Sequence, residues 1–365
     1  MRPLPRSESK QPTRQCQRPT GALSILAATA LTLALSGCGE PATTGSEPEP
    51  QLVRVGSLSA PGTPWHDEWL RFEARFNEQP DTGLQLNLFI SGQLGSEETV
   101  LSNLRRGRVQ LGGFSLHGLA SVVPELSVLL APYLFESRAE VDFIMDNYLT
   151  DIFTELFAAQ GIALLRWSEV GWNHVFCRDA VQTPADISGL KIRASSAIGP
   201  QEFARRVGAD NVPVNYAELI TALQTGLLDC GQGGVGLYAL SGAAQEAPHL
   251  TMTYHIFDTG LVVANQAWLD GLGPEQRNAL LGSLEPADVG RQKLRAALAT
   301  LQAEKLGELG VIVHELDAEQ DAVWRRAAMG SHVAVVEETG GRAAEVYALI
   351  QQGKNEFSAR QAQLQ

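Results

Sequence analysis

From Leu52 onward the chain alternates short runs of strand character with stretches of helical periodicity, and this alternation restricts the fold more than any other feature. Leu52–Leu58 (LVRVGSL) alternates apolar and polar residues, as a strand with one buried face does. Pro64–Asn77 then sets Trp65, Trp69, Phe72 and Phe76 at helical spacing, and Leu84–Ile90 returns to strand character. Further strands are expected at Val109–Phe114, Leu126–Leu130, Ile162–Trp167, Trp172–Cys177, Leu190–Ala194, Val212–Val214, Leu227–Cys230, Leu250–Ile256, Gly260–Asn265 and Val311–Glu315. Helices are expected at 96–106, 137–160, 199–207 and 216–225, with one or two long ones over 275–310 and more over 318–352. Strands alternating with helices predict parallel sheets covered by helices, an α/β class. A chain of 365 residues has room for about two such units. Ligands in these folds sit at the carboxyl ends of strands or between domains.

The first fifty residues read as an address. Arg2, Arg6, Lys10, Arg14 and Arg18 stand against one acid, Glu8, and precede the apolar run Gly21–Leu35. A basic region, a short apolar run and small residues at its end make an export signal, and the run is short for a spanning helix. Leu35-Ser36-Gly37-Cys38 resembles the bacterial lipobox, which predicts cleavage before Cys38 and a lipid anchor on it. Residues 39–51, rich in Pro, Glu, Gly, Ser and Thr, read as a flexible tether.

Charge narrows the partners. Residues 1–37 hold five of the 28 basic residues and one of the 41 acidic ones, so cleavage takes the net charge from −13 to −17. So acidic a chain lacks the basic footprint that nucleic acid requires. Small molecules and proteins are the expected partners.

A search for catalytic patterns returns little. There is no HExxH and no CxxC, and the seven histidines are scattered, so no metal and no cofactor are expected. Ser115 and His117 are neighbours, but Gly113-Phe114-Ser115-Leu116-His117 lacks the second glycine of a nucleophile elbow. Gly231-Gln232-Gly233-Gly234-Val235-Gly236 fits G-x-G-x-x-G, with Asp258 some way downstream. Its context is poor for a dinucleotide site, and a close backbone turn lining a cleft is the preferred reading. Cys177 and Cys230 are expected as two buried thiols, with a disulfide as the alternative.

Residues 91–232 carry a more specific pattern. Ser91-Gly92-Gln93-Leu94-Gly95 is followed by Arg106-Gly107-Arg108-Val109-Gln110-Leu111-Gly112 and Leu130-Ala131-Pro132-Tyr133-Leu134-Phe135. Then come Thr183-Pro184-Ala185-Asp186-Ile187-Ser188-Gly189-Leu190-Lys191-Ile192-Arg193 and, about thirty residues on, Glu218–Asp229 with its Ala222-Leu223-Gln224-Thr225-Gly226 core. In order and spacing these closely resemble the extracytoplasmic solute-binding proteins of tripartite ATP-independent periplasmic (TRAP) transporters, the DctP-type family. The resemblance implies two α/β lobes closing on a ligand, a long helix spanning both, and delivery of a solute to a membrane permease driven by an ion gradient. It implies a binding protein rather than an enzyme. The expected division is mainly lobe I over 52–170, mainly lobe II over 171–260, and a lobe-crossing strand with C-terminal helices over 261–365.

Arg193 matches the family arginine that pairs with a solute carboxylate, a task suited to a planar guanidinium fork. Some relatives carry a second arginine where this chain has Asn173, and an asparagine where it has Gly233. These departures weaken the case for a dicarboxylate and leave a small organic acid, expected to be a monocarboxylate. Asn173, Gln232 and Ser115 are the polar candidates, Gly233 leaves room, and Trp172, Trp65 and Tyr216 are candidates for an apolar wall. A ligand sensor signalling to a receptor is the alternative on the same fold, and an exported nucleotide-dependent enzyme is a second.

Overall fold

The structure, a computed structural model, describes residues 50–364 apart from residue 81. The expected signal segment, Cys38 and nearly all of the tether lie outside those residues. Among the described residues eleven strands form two sheets. The first contains β1 (Gln51–Ser57), β2 (Leu84–Phe89), β3 (Leu111–Ser115), β4 (Ile162–Trp167) and β10 (Gly260–Asn265), in the order β2-β1-β3-β10-β4. The second contains β5 (Gly171–Cys177), β6 (Lys191–Ala194), β7 (Asp210–Pro213), β8 (Cys230–Gly234), β9 (His249–Asp258) and β11 (Ile312–His314), in the order β11-β9-β5-β8-β6-β7.

Each sheet is mixed rather than wholly parallel, and the exceptions are the crossings. The chain leaves the first sheet after β4 and returns after β9; β10 runs antiparallel to β3 and β4, and β5 antiparallel to β8 and β9. These short crossings, at residues 168–170 and Thr259, join the two lobes as a hinge would. A third crossing is the 22-residue helix Ala287–Glu308. Near its start Gly290 lies against Arg166 of β4, and near its end Leu306 is buried in the core of the second lobe. This is the lobe-spanning helix that the family resemblance implied.

Local structure follows the residue pattern with four corrections, the first being that the strand expected at Leu227–Cys230 starts only at Cys230 and runs to Gly234, after the turn at Gly226, φ +73°. Leu126–Leu130 is not a strand but the turn of helix Leu126–Leu129, buried on all sides, where no alternation exists to favour a pleat. The helix expected over 137–160 forms, but Met145–Leu149 widens into a π-turn between α-helical halves before it ends at Gly161, φ +73°. Cys177 and Cys230 are not two free thiols. The β5–β8 register sets them directly opposite one another with Cα atoms 4.1 Å apart, and they form a disulfide.

Candidate functional site

Between the sheets lies a cavity of about 280 Å³, lined from both lobes. β1, β3, β6 and β8 all end there, which places it at the carboxyl ends of strands. The helix Pro64–Asn77 contributes Trp65, Glu68 and Trp69 to one side, while Leu237 and Leu240 of the helix Val235–Ser241 line the other.

Seven of the eight residues singled out from sequence line this cavity, but they are not equivalent. Arg193, one residue from the end of β6, is buried to 6% exposure. Its Nε donates to the Val214 carbonyl at 2.9 Å, and its guanidinium lies 5.5 Å from the centroid of the Tyr216 ring. Neither Nη has an acceptor among the described residues. Burial pushes its pKa down, while Tyr216, Glu97, Asp258 and Glu98 oppose the shift. Asn173 is buried as well, and its Oδ1 has no donor among the described residues. A buried acceptor of this kind costs about 1–3 kcal/mol when left unmade.

Gln232 is spent differently. Its amide donates to the carbonyls of Arg193 and Pro200, at 3.2 and 3.1 Å, and its Oε1 meets His255 Nε2 at 2.9 Å. Gln232 therefore supports the backbone that carries Arg193, rather than offering the free amide expected of it. Ser115 also has its bonds filled: its N–H and Oγ donate to Glu97 Oε1 and Oε2 at 2.8 and 2.7 Å, and its Oγ caps Gly118 N. Trp65 turns its Nε1 to the Glu169 carbonyl at 2.7 Å and faces Gly236. Tyr216 donates to Ser241 Oγ at 3.4 Å.

Trp172 is the exception. It does not line the cavity; its ring lies 5.0 Å from Phe257 and 6.2 Å from Tyr254. Adjacent strand residues point to opposite faces, so Asn173 at the cavity turns Trp172 away from it.

The glycine run is no phosphate loop. Gly231, Gln232 and Gly233 are paired strand residues, opposite Phe176, Val175 and His174, so the expected turn is absent too. Gly231 is small because a Cβ would enter the Phe176 ring, and Gly236 because Leu298 and Trp65 crowd it.

Several groups at the cavity were not picked out from sequence. Glu97 opens the helix Glu97–Arg105, and its pKa is raised to about 7 by burial, against the opposing bonds from Ser115 and the charge of His117. Gly118 has no side chain because Glu97 fills the space. His117 bonds Ser195 Oγ through Nδ1 at 2.8 Å and faces Asp258 Oδ2 through Nε2 at 3.3 Å. Glu68 is ion-paired with Arg166. The Ser96-Glu97-Glu98 helix start was legible, but nothing in a linear reading brings Glu97, His117 and Asp258 together.

These features agree with the comparisons to known proteins. The DctP family model, described as bacterial extracellular solute-binding protein, family 7, matches residues 55–338. The 2,3-diketo-L-gulonate-binding periplasmic protein of Escherichia coli K12 is 28% identical over 291 residues, covering 79% of this chain and 88% of that protein. The C4-dicarboxylate-binding periplasmic protein of Rhodobacter capsulatus is 25% identical over 323 residues, covering 87% and 94%. The crystal structure of the sugar acid binding protein of Advenella mimigardefordensis, in complex with galactonate, shares the fold with a TM-score of 0.78 at 22% identity, over 84% of this chain and 99% of that one. With two lobes, a lobe-spanning helix and a cavity at the strand ends, and with the family pattern running through both lobes, this chain belongs to the DctP family of bacterial extracellular solute-binding proteins.

Proposed function

We propose that this protein captures a small hydroxylated monocarboxylate, of the sugar-acid class, and hands it to the membrane subunits of a TRAP-type transporter. The observation that carries the reading is Arg193: a buried guanidinium facing the cavity with two Nη amines and no acceptor for either among the described residues. A carboxylate fits that fork with two parallel hydrogen bonds. Among the described residues Arg193 is the only arginine lining the cavity, which favours one carboxylate over two. The buried acceptor Asn173 Oδ1 calls for a donor, and a hydroxyl group supplies it. Trp65, Trp69 and Leu237 provide the apolar side against which a sugar carbon skeleton packs.

The comparisons support the class: a diketogulonate-binding relative and a galactonate-bound fold neighbour both handle sugar acids. Hinge closure suits the task, since a solute touching both lobes favours the closed state. A lipid on Cys38 would keep the protein at the membrane where the permease lies.

A thermal-shift and calorimetric screen of the purified protein against aldonates, uronates and C4-dicarboxylates tests the reading. A sugar acid at about 100 times its Kd stabilises by roughly 2.7 kcal/mol. Arg193→Ala is expected to weaken that binding about a hundredfold, roughly 2.7 kcal/mol, within the range for a buried charge-assisted pair. A panel in which only dicarboxylates bind, or in which Arg193→Ala binds as wild type, would refute it.

A further inference from the structure

A carboxylate site holds its own carboxylates at a cost, and this cavity holds four: Glu68, Glu97, Glu98 and Asp258. Glu68 is neutralised by Arg166, and Glu97 is bonded by Ser115. Asp258 is the deeper case. It is 3% exposed, its Oδ1 has no donor among the described residues, and Oδ2 meets one side chain, His117.

His117 follows β3 of the first lobe, whereas Ser195 follows β6 of the second and Asp258 ends β9 at the crossing. One imidazole thus touches both lobes and the hinge. The bond directions are set by chemistry. Asp258 only accepts, so Nε2 carries the proton toward it. With the ring hydrogen on Nε2 in the neutral imidazole, Nδ1 accepts, and Ser195 Oγ, which itself accepts from Ala197 N at 3.3 Å, donates to it at 2.8 Å. The lobes meet closely beside this point: Ile198 N donates to Ser127 Oγ at 3.4 Å, and a Cβ on Gly199 would collide with the Leu130 carbonyl.

We propose that His117 is a positioning residue of the solute site, clasping Ser195 across the lobes while masking the Asp258 carboxylate from an anionic solute. It rests on the carboxylate reading above for the masking, but the clasp stands without it. A serine–histidine–aspartate chain can also activate a hydroxyl for acyl transfer; here the serine sits where two lobes join, and the chain serves closure and charge.

Interlobe distance tests the clasp without any solute. Spin labels on Arg106→Cys and Thr221→Cys, both exposed and one on each lobe, report the distance distribution in the full-length protein. His117→Ala and Ser195→Ala are expected to shift it toward longer distances, and Ser195→Ala serves if the first variant fails to fold. Titration with D-galactonate tests the mask: His117→Ala binds at least tenfold more weakly, and adding Asp258→Asn restores most of the loss. Distances unchanged in both single variants would overturn the clasp. A loss that Asp258→Asn leaves untouched would reduce His117 to packing and overturn the mask. If wild type ignores D-galactonate and every other acid in the panel, the sugar-acid reading falls, the mask falls with it, and the distances alone decide the clasp.

Discussion

Arg193 and Arg295 are the same residue type in opposite circumstances. Arg295, on the lobe-spanning helix, bonds the Glu169 carboxylate through Nε and Asp142 through both Nη amines, at 2.7 and 2.8 Å. Burial would lower its pKa, yet the bonds to Asp142 and Glu169 outweigh that and raise it. Arg193 has one carbonyl partner and a pKa lowered by burial. The first arginine is satisfied by the fold and ties Glu169, at the β4–β5 crossing, to the helix that spans the lobes. The second is held in place by the fold through Nε alone, with neither Nη paired among the described residues. Binding sites are recognisable as places where buried polar groups stay under-partnered.

The comparison breaks most visibly at Glu169, which is fully buried and also takes Arg138 Nε at 3.2 Å. Removing one member of a buried ion network leaves charge behind, so Glu169→Ala is expected to lose about 3 kcal/mol of stability in urea unfolding. Loss of Arg193 should go the other way: little change in unfolding without solute, and the large loss of affinity given above. If Arg193→Ala instead unfolds as readily as Glu169→Ala, the two arginines are alike and the contrast fails. A smaller effect is expected at Asn173. Asn173→Ala should weaken solute binding about tenfold, near 1.4 kcal/mol, while Trp172→Ala next to it leaves affinity within about twofold.

The smallest expected effect is a pH slope. Glu97 has a folded-state pKa of about 7 against its usual 4.5, because burial disfavours the carboxylate. Protonated Glu97 therefore favours the fold: its contribution is complete below about pH 4.5 and is lost as pH rises through about 7. Between those values wild type should lose stability relative to Glu97→Gln, whose side chain does not titrate. Parallel curves for the two proteins, from urea unfolding at several pH values, would place Glu97 in contact with solvent rather than desolvated.

The α/β class and most strands were legible because periodicity reports which face a residue presents, and the lobe-spanning helix was expected from the family resemblance. Arg193, the proposed carboxylate anchor, was singled out because Lys191-Ile192-Arg193 follows a distinctive Thr183–Leu190 run. Leu126–Leu130 misled because a stretch buried on every side carries no period. The candidate site was only partly readable: Gln232 and Ser115 line the cavity and Trp172 does not, because what each side chain meets depends on the residues opposite. Gln232 is consumed by two carbonyls and His255, and Trp172 faces away by one residue of alternation.

What the sequence by itself determined is therefore local and periodic: secondary structure and the order of family motifs. What only the tertiary structure decided is pairing across distance. His117 meets Ser195 and Asp258 across 78 residues in one case and across the crossing from β9 in the other. Cys177 meets Cys230 by sheet register, and Glu97 meets Ser115 by the packing of a helix on β3. Hydrogen bonds and charge act over a few ångströms, and a linear chain does not state which of its distant parts will come that close.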